Sequence, residues 1–492
     1  MRIRQPARAP GLFVELDPAL DLPLFRQLYG GIRDAVLGGR LPAGAPLPPS
    51  RGLAAELGVS RNTVTLAYDQ LVAEGYLRGR PRSGMQVAAT LPPRAAPKPV
   101  RSAGARAQEP PRISARGLAI ASAPMPGLAW AGKPPEPFRP GVPALDLFPL
   151  RQWSRLVHRR LRRPPPMGYG DPAGYAPLRA AIAEYVTAAR GARCVPDQVI
   201  VVNGSQQGVD LAARVLLDSG DEAWMEDPGY PGARAALLAA GATLVPVPVD
   251  DEGLRVAEGV RAAPRARLAY VSPSHQFPLG ATMSASRRLE LLRWAARAGA
   301  WILEDDYDSE FRYSTRPLAS LQGMDQAGRV VYIGTFSKTL VPALRLGYLI
   351  VPPGIAHAFR AVRAACDRHS PVLDQAVLAD FMAEGHFARH VRRMRNLYAE
   401  RQSVLVGAIQ RWLGDRLEVR ATGAGMHLVG WLEAGSDDAA VSSRLWEAGI
   451  EAPPLSSYGL VRPARPGLLL GWAGYPPEAI TRSVERLARA LN

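Results

Sequence analysis

The most informative stretch of this chain is Val330-Val331-Tyr332-Ile333-Gly334-Thr335-Phe336-Ser337-Lys338-Thr339-Leu340. Its first four residues are β-branched or aromatic, which is typical of a buried strand. The run leads into a short turn that carries hydroxyl side chains and Lys338. Taken alone, a lysine after a strand is more often a solvated surface residue. The end of a strand is nevertheless where open α/β sheets bind ligands, so Lys338 becomes a candidate functional residue.

Strand-like and helix-like segments alternate on both sides of that stretch. Residues 199–202 and 300–303 read as strands, whereas 281–298 reads as a helix. This alternation predicts a large α/β domain with a mainly parallel sheet. From about residue 372, a long helix and a smaller α+β segment are expected. We expect the whole domain to span residues 126–492.

Composition narrows the class of protein. A chain of 492 residues is long enough for two or three domains. The formal net charge of +16 favours an anionic partner such as nucleic acid, although an arginine-rich proteome would also produce it. Only Cys194 and Cys366 are present, which excludes a disulfide framework and a cysteine metal cluster. With neither a signal core nor a membrane-length apolar run, we expect a cytoplasmic protein.

Residues 20–88 predict a compact helical unit that ends in a small hairpin. Residues 50–57 form a short helix in which Ser50 is a candidate N-cap, and Gly58 supplies the turn. Ser60 then caps a second helix from residue 61. A two-stranded wing with an arginine-rich tip follows at about 75–87. Residues 89–125, rich in Pro, Ala and Arg, predict a basic, semi-extended linker.

This ordered set of helix, turn, helix and wing resembles the winged helix-turn-helix of GntR-type regulators over about 65 residues. A helix pair alone is more often ordinary packing, but here the complete set is present. The resemblance implies binding to double-stranded operator DNA, since the first turn of a recognition helix faces base edges and phosphates. The implied contact residues are Arg51, Ser60, Arg61, Asn62, Thr63, Thr65, Arg80, Arg82 and Gly84.

Pyridoxal 5'-phosphate (PLP) requires a fixed set of partners, and the sequence has a candidate for each. A lysine forms the Schiff base, a carboxylate faces the ring nitrogen, a donor bonds the phenolate and an aromatic ring covers one face. A helix N-terminus, hydroxyls and arginine hold the phosphate. The candidates are Lys338, Asp305, Tyr307 and Tyr230, and then Gly204, Ser205, Gln206, Thr335, Ser337 and Arg345 for the phosphate. His275 lies in another loop suited to ligand contact.

The acidic run 304–310 has a second interpretation as a calcium loop. An EF-hand requires glycine at its sixth position, and counting from Asp306 that position holds Phe311. The calcium interpretation is therefore the weaker one.

Three segments resemble fold type I aminotransferases, and more closely the effector domain of MocR-type regulators, which join it to a GntR-type module. These segments are 203–210 (NGSQQGVD), 275–278 (HQFP) and 304–313 (EDDYDSEFRY). The resemblance implies that Lys338 forms the Schiff base, Asp305 pairs with the pyridine nitrogen, and Tyr307 donates to the phenolate. It also implies that Arg345 binds phosphate and that Tyr169 reaches the phosphate of the neighbouring subunit in a homodimer.

One departure from the family bears on activity. Aminotransferases hold the substrate α-carboxylate with an arginine two residues before a glycine in a C-terminal strand, and here Leu469 precedes Gly471 at that place. Losing a bidentate guanidinium removes roughly 1.5–3 kcal/mol per bond. The sequence thus favours a transcriptional regulator that senses PLP, or PLP with an amine or amino acid, with little or no turnover. The alternatives are an active aminotransferase with an appended DNA-binding domain and a regulator whose pocket never binds PLP.

Overall fold

The computed structural model describes residues 14–80, 84–89, 113–122, 132, 134–313 and 319–491. The chain divides into two compact units between residues 111 and 112. Within the described residues, no helix combines the length and the apolar character that crossing a membrane requires.

In the residues that the structure describes, the N-terminal unit contains three helices and a small antiparallel sheet. Its elements are α1 (Leu24–Leu37), β1 (Pro46–Leu47), α2 (Ser50–Leu57), α3 (Arg61–Ala73), β2 (Leu77–Arg80) and β3 (Gly84–Val87). The apolar faces of the helices meet in one core around Leu28, Ile32, Val64 and Leu71. The sheet has the order β1-β3-β2, so the expected two-stranded wing carries a third strand. That strand comes from the proline-rich loop before α2, where sequence periodicity has no signal.

The turn between α2 and α3 follows the expected pattern, with one correction. Gly58 has a φ of +66°, a left-handed conformation that glycine adopts without steric cost. The Ser60 hydroxyl accepts a hydrogen bond from the Thr63 N–H at 3.1 Å and so caps α3. The N-cap prediction for Ser50 is wrong, because α2 begins at Ser50 and its cap position is Pro49.

The C-terminal unit is built on an eight-stranded sheet. Its strands are β4 (Val199–Val202), β5 (Glu222–Asp227), β6 (Thr243–Asp250), β7 (Gly253–Leu254), β8 (Leu268–Val271), β9 (Trp301–Asp306), β10 (Val330–Thr335) and β11 (Gly347–Ile350). The order is β4-β11-β10-β9-β8-β5-β6-β7. The pairs from β10 through β9, β8 and β5 to β6 are parallel, whereas β11 runs antiparallel to both of its neighbours and β7 runs antiparallel to β6. The expected mainly parallel sheet is confirmed.

Helices pack on the sheet and continue into a smaller C-terminal subdomain. They are α4 (Ala115–Ser122), α5 (Leu150–Arg162), α6 (Ala176–Arg190), α7 (Ser205–Leu216), α8 (Pro231–Ala240), α9 (Val256–Ala262), α10 (Ala285–Ala298), α11 (Leu321–Met324), α12 (Ala356–Cys366), α13 (Val372–Ala383), α14 (His386–Leu413), α15 (Asp438–Glu447) and α16 (Pro477–Ala490). Strands β12 (His427–Trp431) and β13 (Gly467–Gly471) pair antiparallel. Together with α14 to α16 they form the expected α+β subdomain.

Helix α4 differs from the expectation of a semi-extended linker. It lies inside the segment 89–125, most of which falls outside the described residues. None of its side chains is fully buried, and it lies against α8. A surface that an existing domain offers can thus order a short helix whose own composition gives no helical periodicity.

Candidate functional site

A cavity of about 360 Å³ opens at the carboxyl edge of the large sheet. Parallel strands end together at this edge, so residues far apart in sequence meet there. Nine of the predicted cofactor residues line it: Ser205, Gln206, Tyr230, Asp305, Tyr307, Thr335, Ser337, Lys338 and Arg345. The fold thus brings these nine residues together in one cavity.

Lys338 lies three residues beyond the end of β10 and extends into the cavity. Its Nζ donates a hydrogen bond to the carbonyl oxygen of Gly141 at 2.8 Å. Burial lowers the pKa of Lys338, and Arg345 lowers it further, against the opposing effect of Asp308 and Asp305. A larger share of this amine is therefore neutral than on the protein surface, and a neutral amine is a nucleophile.

Asp305 is a carboxylate that lines the same cavity as this amine. It is the fifth residue of β9 and is almost fully buried. Its Oδ2 accepts a hydrogen bond from the Tyr270 hydroxyl at 2.6 Å. Its Oδ1 is buried and has no hydrogen-bond partner. Burial raises the pKa of Asp305 to about 7, so a cationic group placed at Oδ1 would stabilise the ionised form.

The neighbouring acidic residues turn towards different partners. Glu304 accepts from the backbone N–H of Leu321 at 2.8 Å, and Asp306 accepts from Arg190 at 2.6 Å. Glu310 accepts from the Tyr185 hydroxyl at 2.7 Å. Because these carboxylates diverge, the run 304–310 does not form a calcium loop.

One end of the cavity is suited to an anion. Gly204, with a φ of +87°, is the N-cap of α7, and Ser205 and Gln206 in the first turn face the cavity. Unpaired N–H groups and the helix dipole make such an end favourable for negative charge. Arg345 lies beside it and donates to the Asn203 carbonyl at 2.8 Å. Arg345 has a φ of +49°, which costs energy for a non-glycine residue and is typical of functional sites.

Aromatic rings form one wall of the cavity. Phe277 contacts the rings of Tyr230, Tyr458 and His427, with centroid distances of 5.8, 5.3 and 5.2 Å. Phe277 also approaches Tyr307 edge-on at 6.1 Å. These edge-to-face contacts hold the wall rigid.

His275 lies behind this wall and does not line the cavity. Its Nδ1 is 3.0 Å from the Tyr307 hydroxyl and 3.0 Å from Asp308 Oδ2. It therefore fixes the position of Tyr307, and it does not face the ligand space.

Other sequence-based assignments lie elsewhere. Gly204 caps α7 just outside the lining, and Tyr169 is 85% exposed, with Arg368 over its ring at 4.7 Å.

The cavity lining also includes residues that were not predicted from the sequence, among them Arg139, Gly141, Tyr270, His427 and Tyr458. They belong to distant loops and strands without a recognisable motif. Only the chain path brings them to the site, so no local signal could have identified them.

The candidate DNA-binding surface is the first turn of α3 and the wing. Arg51, Arg61 and Asn62 are exposed. The Thr65 hydroxyl donates to the Arg61 carbonyl at 3.0 Å, so it already has a partner within the helix. Gly84 begins β3 opposite Arg80, whose backbone ends β2. Arg82 lies outside the described residues.

Both units match known families. Residues 24–87 match bacterial regulatory proteins of the gntR family. Residues 144–487 match aminotransferase class I and II. A solved aminotransferase, LysN of Thermus thermophilus in complex with N-(5'-phosphopyridoxyl)-L-leucine, is 29% identical with a TM-score of 0.67, covering 72% of this chain and 91% of its own. The expected winged helix-turn-helix joined to a fold type I aminotransferase-like domain is confirmed.

Two regulators match this chain over nearly the whole length of both proteins. The probable rhizopine catabolism regulatory protein MocR of Rhizobium meliloti is 45% identical, over 97% of this chain and 95% of that protein. The HTH-type pyridoxine biosynthesis transcriptional regulator PdxR of Corynebacterium glutamicum is 30% identical, over 97% and 98%. These matches confirm the prediction of a DNA-binding transcriptional regulator. With a gntR-family module and an aminotransferase-like domain in a single chain, this protein belongs to the MocR-type regulators of the GntR family.

Proposed function

We propose that this regulator binds PLP in the cavity at the sheet edge, covalently joined to Lys338. An amine or amino acid that binds there then changes the affinity of the protein for operator DNA. The proposal takes the protein to act as a homodimer in the cytoplasm. It assigns residues 20–88 to DNA binding, 89–125 to a linker and 126–492 to the effector domain.

The observation that carries this proposal is the free oxygen of Asp305. A buried carboxylate oxygen without a partner is costly, and Oδ1 of Asp305 is such an atom. The protonated ring nitrogen of PLP would satisfy it with a charge-assisted hydrogen bond. Tyr270 holds the other oxygen and so keeps the carboxylate in one orientation.

The remaining groups fit the same cofactor. The first turn of α7 with Arg345, Thr335 and Ser337 would bind the phosphate. Tyr230 would cover one face of the ring, and Tyr307 would donate to its phenolate oxygen. When bound, PLP supplies an aldehyde carbon for amines and a ring that withdraws electrons.

Tyr169 is proposed to act in the neighbouring subunit. Its exposure of 85% leaves the side chain available to a second copy of the chain. With Tyr169 reaching the partner's phosphate end, each pocket would be complete only in the dimer.

Regulation requires that the ligand bind two conformations with different affinity. An active aminotransferase is the second candidate, favoured by the complete set of Lys338, Asp305 and Tyr307. The apolar residue at position 469 argues against efficient turnover of ordinary amino acids. We therefore propose sensing as the main role.

The test is covalent attachment. On titration with PLP, the full-length protein should gain the visible absorption of lysine-bound cofactor, and borohydride should fix the cofactor mass on one peptide. The sequence contains three lysines, Lys98, Lys133 and Lys338. Lys338→Ala should abolish both signals, whereas the matched control Lys133→Ala should keep them.

Two measurements on the PLP-loaded protein then distinguish a regulator from an enzyme. Operator affinity should change when PLP or an effector is added, which supports a regulator. Multiple turnovers with a panel of amino acids and a keto acid would instead identify an enzyme. A colourless protein at saturating PLP, with no trapped lysine, contradicts the whole proposal.

A further inference from the structure

Each cationic side chain that lines the cavity already has a partner or a proposed role. Among the described residues that line it, the arginines and lysine are Arg139, Lys338 and Arg345. Lys338 belongs to the proposed covalent attachment, and Arg345 lies at the anion end beside Gly204. That leaves Arg139 to be considered for a second negative group.

Arg139 is held by an acidic partner. Its Nη2 donates to Glu451 Oε1 at 2.7 Å, and its Nε donates to Oε2 of the same carboxylate at 2.5 Å. Both residues are buried. Nη2 also donates to the carbonyl of Pro134 at 2.8 Å. This two-point pair neutralises the guanidinium, so Arg139 presents little net charge to a ligand.

His427 does not supply a positive charge either. His427 lies on β12 and lines the cavity. Its Nε2 atom is 3.2 Å from the carbonyl oxygen of Pro278. Burial holds the pKa of His427 well below its ordinary value, and the nearby His275 lowers it further. The ring is therefore neutral near pH 7.

Strand β13 places an apolar residue behind the aromatic wall. Alternation along the strand sends Leu468 and Leu470 into the core of the C-terminal subdomain. Leu469 points to the opposite face and packs with Tyr458 and Phe277, which line the cavity. The apolar side chain at position 469 therefore supplies no positive charge behind these rings.

We propose that the effector of this protein is a primary amine that carries no carboxylate, with an uncharged body that packs against the wall of Phe277, Tyr458 and Tyr230. A carboxylate on that side would lose its water without gaining a cation, which is unfavourable in a buried site. The inference rests on the proposed function, because the amine is taken to react with PLP held by Lys338. In that exchange the carbon–nitrogen double bond to Lys338 is replaced by one to the effector nitrogen. The two protons of the effector amine pass to Lys338, which leaves as a free amine.

Matched pairs of ligands test the proposal on the loaded, full-length protein. Phenethylamine is compared with phenylalanine, and tyramine with tyrosine, by titrating the absorption band of the bound cofactor. Borohydride trapping supplies a second readout, since a bound effector frees the Lys338 peptide from the cofactor mass. Each amine should act at a concentration at least roughly tenfold lower than its amino acid. Equal or reversed potency overturns the proposal.

Variants at position 469 test the cause. Leu469→Arg should reverse the preference within each pair, whereas the matched apolar control Leu469→Met should leave it unchanged. If Leu469→Arg does not fold, Glu451→Gln gives a second route, because it releases the charge of Arg139 and should raise the affinity for the amino acids. An unchanged preference in every folded charge variant contradicts the proposal.

The failures of the two proposals are distinguishable. If PLP never attaches to Lys338, the proposed function fails before any amine is added. If PLP attaches and the amino acids displace Lys338 as readily as the amines, only the effector class is wrong. If PLP attaches and neither class displaces the lysine, the amine inference also fails while PLP binding stands.

Discussion

At the scale of single residues, Asp305 is a buried carboxyl group of the site whose pKa departs from its ordinary value. In the cofactor-free protein burial raises its pKa to about 7, against an ordinary value near 3.9. Between these values the folded chain keeps a proton that the unfolded chain releases. Stability from this group is therefore complete at low pH and is lost as the pH rises from about 4 to 7.

We predict that Asp305→Asn flattens the fall in unfolding free energy of the cofactor-free protein between pH 4.5 and 7. Each pH unit in this window costs the wild type about 1.4 kcal/mol through this carboxyl. Part of the slope should remain, because burial also raises the pKa of Glu226, Glu304 and Glu310 to about 7. All nine tryptophans lie beyond residue 111, so urea unfolding followed by tryptophan fluorescence reports this unit. An identical slope in the variant would contradict the prediction.

Gly141 is a residue whose missing side chain matters. A Cβ built there would lie 2.6 Å from Lys338 Nζ, and its φ of +72° already favours glycine. Because Nζ ends a flexible side chain, it can move aside, but a displacement of about 1 Å of a reacting group can cost roughly 100-fold. We predict that Gly141→Ala weakens PLP attachment roughly ten- to hundredfold, measured by absorbance titration. Gly299→Ala is the matched control, since Gly299 has a φ of +64° and no atom within 4 Å of the added Cβ; equal losses in both variants would assign the effect to backbone strain alone.

At the scale of elements, the first turn of α3 is the candidate that reads DNA. Arg61 and Asn62 are exposed there, while Val64 and Tyr68 are buried in the core of the unit. We predict that Arg61→Ala or Asn62→Ala weakens operator binding by about 1–3 kcal/mol, without changing the cofactor absorption. Fluorescence anisotropy with labelled operator measures this. Val72→Ala, a change at a partly exposed site in the last turn of the same helix, should bind normally, and normal binding by both test variants would remove α3 as the recognition helix.

At the scale of the whole molecule, the proposed dimer can be tested by asking whether Tyr169 of one chain contributes to the pocket of the other chain. Mixed dimers of Lys338→Ala chains and Tyr169→Phe chains contain one pocket with both Lys338 and the partner subunit's Tyr169. We predict that such dimers, isolated with two affinity tags, retain PLP in one pocket as tightly as the wild type. If Tyr169 acts within its own chain, the mixed dimers will retain PLP only as weakly as Tyr169→Phe alone.

The order of modules, the α/β class and the core of the pocket were determined by the sequence itself. Strand-end motifs carry local chemistry, so Lys338, Asp305 and Arg345 are recognisable from the order of residues alone. The packing of distant segments decided the rest. Only the fold brings the Gly141 carbonyl within hydrogen-bond distance of Lys338. It also pairs Arg139 with Glu451, which lies more than 300 residues away in the sequence. It also turns His275 away from the cavity and sets Leu469 behind an aromatic wall, because side-chain environment depends on which strands and loops meet at the sheet edge, and no local pattern encodes that.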